Sequence, residues 1–130
     1  MPLGDEPGHM LGRARAEFGL GRFAEARATL YEVRRRWPDW QSADGHLIYA
    51  RTLEEDGRLE EAIEEYQALS AYYAGAEPRV RLGLTLRKVG REAEARAVLT
   101  EVVHQMNRAP KFARKTQAAW ISMAEAALRG

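Results

Sequence analysis

A six-residue pattern written three times limits what this chain can fold into. Gly21-Arg22-Phe23-Ala24-Glu25-Ala26, Gly57-Arg58-Leu59-Glu60-Glu61-Ala62 and Gly90-Arg91-Glu92-Ala93-Glu94-Ala95 all read Gly-Arg-x-x-Glu-Ala, at intervals of 36 and 33 residues. Recurrence at such a period, in a chain of helix formers, specifies stacked helical repeats whose apolar faces are buried against their neighbours. The 130 residues accommodate three repeats and a remainder within one domain, 1–130.

Each hexad position has a physical reason. Gly lacks Cβ and enters the left-handed conformation that ends a helix, and Glu in the following first turn complements the positive end of the next helix dipole. Seven residues before each Gly stand Ala14, Ala50 and Gly83, and five after it stand Ala26, Ala62 and Ala95. Small residues in this register let two helices cross closely. Leu30, Tyr66 and Leu99 (nine after) with Val33, Leu69 and Val102 (twelve after) supply larger side chains beyond the crossing. Arg reads as a solvated residue beside the outgoing carbonyls.

The apolar pattern predicts seven helices. The first runs from Pro7 to Leu20 (Leu11, Ala14 and Phe18 recurring at three and four), after a poorly ordered start. The second runs from Arg22 to Arg36 (Phe23, Ala26, Leu30, Val33) and stops before Pro38. Trp37 and Trp40 are expected to close one end of the inter-repeat core, the alternative being an exposed aromatic anchor. Ser42 caps a third helix that reaches Asp56, with Asp44 in its first turn. The fourth, Arg58 to Tyr73, buries Leu59, Ala62, Ile63, Tyr66 and Leu69 and leaves Glu60, Glu61, Glu64 and Glu65 wet. Pro78 lies in the first turn of the fifth, which buries Leu82, Leu86 and Val89 and closes at Gly90. The sixth, Arg91 to Asn107, buries Ala95, Val98, Leu99, Val102 and Val103. A seventh from Pro110 to Arg129 is apolar at Phe112, Ala119, Trp120, Met123 and Ala127. Acid-before-base pairs four apart, such as Glu32 with Arg36, Glu77 with Arg81 and Glu92 with Arg96, support the helices.

Twenty basic against nineteen acidic side chains leave +1, so no global field draws the chain to nucleic acid or membrane. With no cysteine, disulfide and thiolate chemistry are excluded. Met1-Pro2-Leu3-Gly4-Asp5-Glu6 lacks the basic start of a signal peptide, and no apolar run reaches membrane-span length. A cytoplasmic protein, or a water-soluble domain of a larger one, is expected. His9, His46 and His104 form no metal-ligand spacing, the serines lack a nucleophile elbow, and adjacent acids such as Glu64 and Glu65 splay around a helix. No enzyme activity, metal or cofactor is expected.

The unit of about 34 residues, with small residues flanking a Gly turn and Pro38 near one repeat's end, resembles the tetratricopeptide repeat. The resemblance spans repeats at about 7–40, 43–75 and 76–109, with 110–129 in the place of a closing helix, and the segment from Asp44 to Gly90 looks like divergent bacterial repeat proteins. Repeat one departs from the pattern, with Arg13 and Glu17 where the later repeats have Tyr49 with Leu53 and Leu82 with Leu86. The resemblance implies an all-α, right-handed solenoid that binds a peptide or helix in a concave groove lined by first helices. Carried onto this chain, the groove holds Arg15, Leu47, Arg51, Glu54, Leu84, Arg87 and Lys88, with Arg114 and Lys115 from the closing helix. Its cations point to an acidic or carboxylate-terminated protein segment.

The family's chaperone-tail-binding positions correspond here to Leu11, Arg15, Ile48, Glu77 and Arg81, of which Arg81 alone matches, so that ligand is disfavoured. Self-assembly or an intramolecular structural role is the alternative, because Leu11 and Phe18 face outward from an uncapped first repeat. RNA is a third reading and is not favoured, since the sequence shows no exposed aromatics among the basic residues.

Overall fold

The computed structural model describes residues 6–130; the expectations for the first five residues lie outside it. The described chain is all-α: α1 (Pro7–Gly19), α2 (Phe23–Arg36), α3 (Ala43–Glu55), α4 (Leu59–Ser70), α5 (Glu77–Lys88), α6 (Glu92–Asn107), α7 (Lys111–Thr116) and α8 (Ala118–Arg129). It divides into two compact units, Met1–Glu65 and Tyr66–Gly130, with the boundary inside α4. No helix among the described residues is long and apolar enough to cross a membrane.

The three hexads make the same turn. Gly21, Gly57 and Gly90 have φ of 76°, 79° and 86°. Each Gly N–H bonds the carbonyl three residues back, and the following Arg N–H reaches five residues back: Arg22 to Glu17 and Arg58 to Leu53 at 2.8 Å, and Arg91 to Leu86 at 2.9 Å. This is the Schellman closure, and it satisfies carbonyls that the helix end leaves open. The same Arg then begins the next helix, its carbonyl accepting from Ala26, Ala62 or Ala95 at 2.9 to 3.0 Å. Its side chain has a structural use that the sequence reading missed. Across the first turn it pairs with the hexad Glu: Arg22–Glu25 at 3.9 Å, Arg58–Glu61 at 3.2 Å and Arg91–Glu94 at 2.5 Å.

In the first unit α1 packs on α2, and both meet α3. Ala14, Ala26, Ala50 and Ala62 are fully buried, as the register requires. Glu17, which takes the position of Leu53 and Leu86, is also buried. It accepts a 2.7 Å hydrogen bond from the Thr29 hydroxyl on α2, while Arg13 lies 3.5 Å away. A polar pair thus replaces an apolar contact in repeat one, which avoids the cost of an unsatisfied buried carboxylate. Ser42 caps α3, accepting from the Gly45 N–H at 3.0 Å. Trp37 is half-buried but Trp40 lies exposed, so the second ring does not close the core.

In the second unit α5 packs on α6, and α8 covers both. Ala76, Val80, Leu99, Val102 and Ala124 form the core, with Leu84, Val103, Met106, Trp120, Ala127 and Leu128 against it. Gly83 is buried, and a Cβ there would stand 2.6 Å from Leu99 Cγ and Cδ2.

The closing helix departs most from expectation. It is two helices, α7 and α8, broken at Gln117, whose side-chain oxygen accepts the Ala76 N–H at 2.8 Å and so completes the start of α5. Its buried stripe runs through Ala124 and Trp120, while Phe112 is 78% exposed and Ala119 and Met123 face solvent. α4 ends at Ser70 rather than Tyr73, and Leu59 is only half-buried.

Candidate functional site

In the first unit, the expected groove residues come from α1 and α3. Arg15 is exposed and lies 3.6 Å from Asp44. Arg51 lays its guanidinium over the Phe18 ring, 4.7 Å from its centroid, and among the described residues it has no carboxylate partner. Phe18 in turn meets Phe23 edge-on at 5.3 Å. Phe18 is therefore covered within its own unit, which removes one reason for a partner there. Leu47, expected to line the groove, is buried, with 8% of its surface exposed. Glu54 is half-buried.

In the second unit, Leu84 is half-buried against the core. Arg87 is held by two 2.9 Å bonds to Glu92 and donates to the Ala127 carbonyl at 2.7 Å. Lys88 is exposed at the end of α5, and Arg114 and Lys115 are exposed on α7. Arg81 pairs with Glu77 at 2.8 Å and stacks over Trp120 at 5.1 Å. Arg87 and Arg81 are thus committed to their own unit.

A second feature of the first unit was not anticipated. Arg27, Ala28, Tyr31 and Glu32 of α2, Tyr49 of α3 and Glu61 of α4 line an open cleft of about 500 Å3 on the side of the second helices. Tyr31 is 59% exposed. Arg27 is turned to Asp56 at 3.1 Å, and Arg34 lies over the Tyr49 ring at 4.6 Å. Burial pushes the Tyr49 phenol up.

Beside the cleft, Glu65 takes 2.8 Å bonds from Arg34 and His46. The His46 bond first, and Arg34 with it, holds its carboxyl down at about 2. Glu65 is thus half-buried rather than wet. The only sequence sign of the cleft is Tyr31, an aromatic beside, not on, the apolar stripe of α2.

Among the described residues no buried side-chain nitrogen or oxygen lacks a partner, and no three His, Cys, Asp or Glu side chains cluster to hold a metal ion. His46 is committed to Glu65, in a pair that ties α3 to α4.

The family model described as Tetratricopeptide repeat matches residues 17–85, just over half of the chain. Among solved structures, the chain is similar to the Yersinia enterocolitica type III secretion translocator chaperone SycD, crystallised as an alternative dimer. That match has a TM-score of 0.73 at 18% identity and covers 94% of this chain and 91% of the other. The likeness is one of fold. A comparison with curated proteins finds no match.

Proposed function

The chain belongs to the tetratricopeptide repeat family, and from that premise we propose that it is a protein-interaction module that works by binding and not by catalysis. Its ligand is a peptide or helix carrying an acidic side chain or a terminal carboxylate, met on the face of the first helices. The observation that carries this reading is Arg51. Its guanidinium is spread on Phe18 and half-buried, with no carboxylate partner among the described residues, while Arg15 and Arg87 already have theirs. A guanidinium held over a ring still offers N–H donors to a carboxylate and loses little freedom on binding.

Affinity capture from the native host, mapping of the bound segment and titration of that synthetic segment test the reading. Arg51→Glu should weaken binding by at least tenfold, with the helical circular dichroism unchanged. Undiminished affinity of that variant excludes the Arg51 face of the first unit as the site.

A further inference from the structure

The near-neutral total conceals a strong division of charge. Met1–Glu65 holds nine Lys and Arg against fourteen Asp and Glu, a formal −5, while Tyr66–Gly130 holds eleven against five, a formal +6. Within the second unit the excess is concentrated, since no acidic residue stands between Glu101 and Glu125. Arg108, Lys111, Arg114 and Lys115 fall in that interval and are all exposed. None of the four side chains makes an ion pair or hydrogen bond among the described residues, whereas those of Arg27, Arg34, Arg58, Arg81 and Arg87 are all paired. In their midst Phe112, at 78%, is the most exposed large apolar side chain of the described residues, so that, contrary to the sequence expectation, an exposed aromatic does stand among basic residues. An aromatic ring held out among unneutralised cations is costly to leave in water and fits an anionic surface with an aromatic recess.

The first unit offers such a surface. Its cleft is lined by Tyr31, Tyr49 and Ala28 together with Glu32, Glu61 and Arg27, the last paired with Asp56, and exposed Glu64 lies one turn along from Glu60 on α4. Glu32 is paired with Arg35 and Glu61 with Arg58 on the surface. Exposed pairs of this kind contribute little, so an incoming cation exchanges for the resident one at small cost.

We propose that the protein associates with itself through this complementarity: Phe112 of one copy enters the Tyr31–Tyr49 cleft of another, and Lys111, Arg114 and Lys115 meet Glu32, Glu61 and Glu64. The contact joins two different surfaces, the second unit of one copy and the first unit of the next, and so is heterologous. It uses neither Arg51 nor the first-helix face, so its failure leaves the peptide-binding reading standing, and the converse also holds.

Sedimentation velocity on the full chain, across a range of concentrations in low and high salt, tests it. At about 50 mM salt the mass should rise with concentration, and at about 500 mM, where the screening length falls to a few ångströms, it should return to the monomer. Phe112→Ala should weaken association by about tenfold or more, as loss of a central aromatic anchor does, with the helical circular dichroism unchanged. Reversing Lys111, Arg114 and Lys115 to Glu should give a monomer, as should reversing Glu61 and Glu64 to Lys, and mixing the two variants should restore a heterologous complex.

A wild-type chain that stays monomeric at low salt overturns the proposal, as does association indifferent to Phe112→Ala. Monomeric chain that binds phosphatidylserine vesicles or a single-stranded RNA oligomer, and loses that binding on α7 charge reversal, also overturns it and assigns the patch to lipid or nucleic acid.

Discussion

Replacing Gly83 by Ala sets two local effects against each other, and the structure decides between them. Alanine in a helix interior is favoured over glycine by about 1 kcal/mol. At this position, however, the added Cβ lies 2.6 Å from both Cγ and Cδ2 of Leu99, a fully buried residue of the second unit's core. Atoms cannot approach so closely, and Leu99 has to move against Val80, Val102 and Ala124. Overpacking of this kind costs about 1 to 3 kcal/mol. The net expectation is a loss of about 1 kcal/mol and a fall of a few degrees in Tm.

The sign should invert when the obstacle is removed. Leu99→Ala alone costs about 2 to 5 kcal/mol. In that background Gly83→Ala should stabilise by up to ~1 kcal/mol, because only its helix propensity remains. The coupling from a double-mutant cycle by urea denaturation is then about 2 kcal/mol. Gly57→Ala is the control. Its added Cβ meets nothing within 4 Å but sits at φ +79°, so it should cost about 1 kcal/mol whatever stands at residue 99. A Gly83→Ala chain as stable as the wild type with Leu99 intact would refute the close crossing that the repeat register requires.

Two further outcomes follow from single contacts. Ala62 is fully buried, so Ala62→Leu should overpack the first unit and cost about 1 to 3 kcal/mol; an unchanged Tm would contradict the register. Glu65 has its folded pKa depressed to about 2 from an ordinary 4.5. Its stabilisation is therefore fully present above about 4.5 and is lost as pH falls through about 2, amounting to roughly 2 kcal/mol once the full conversion is reduced for solvent screening of a half-buried group. Glu65→Gln should lower the neutral-pH urea midpoint and flatten the fall in stability on acidification, and a wild-type slope retained in the variant would contradict the His46–Glu65–Arg34 arrangement.

What was legible in the sequence is what local rules decide. The boundaries of α1, α2, α3, α5 and α6 follow from glycine turns, a serine cap and prolines that act within a few residues. The buried small and large side chains follow from a register counted out from those turns. Residues answering to distant partners were not legible in this way. Gln117 breaks the closing helix because its side chain serves Ala76, 41 residues earlier. Glu17 goes inward because Thr29 waits for it across the turn, and Glu65 because His46 does. Phe112 fits an apolar periodicity that presumes one long helix; once the helix breaks, the ring is left outside. The first-helix residues named from the resemblance lie on α1, α3 and α5, and several of their charges are engaged internally. Nothing in composition revealed that, because a formal charge does not say what it faces.

The hexad turns carry a kinetic meaning as well. Every bond that closes them spans at most five residues, and the small side chains that let the helices cross, such as Ala14 and Ala26, are only twelve positions apart. The search needed to form any one hairpin is short, of the kind completed in microseconds. Folding can therefore begin at any of the three turns and spread outward, leaving the slowest steps to contacts such as Gln117 with Ala76 that must find each other across many residues.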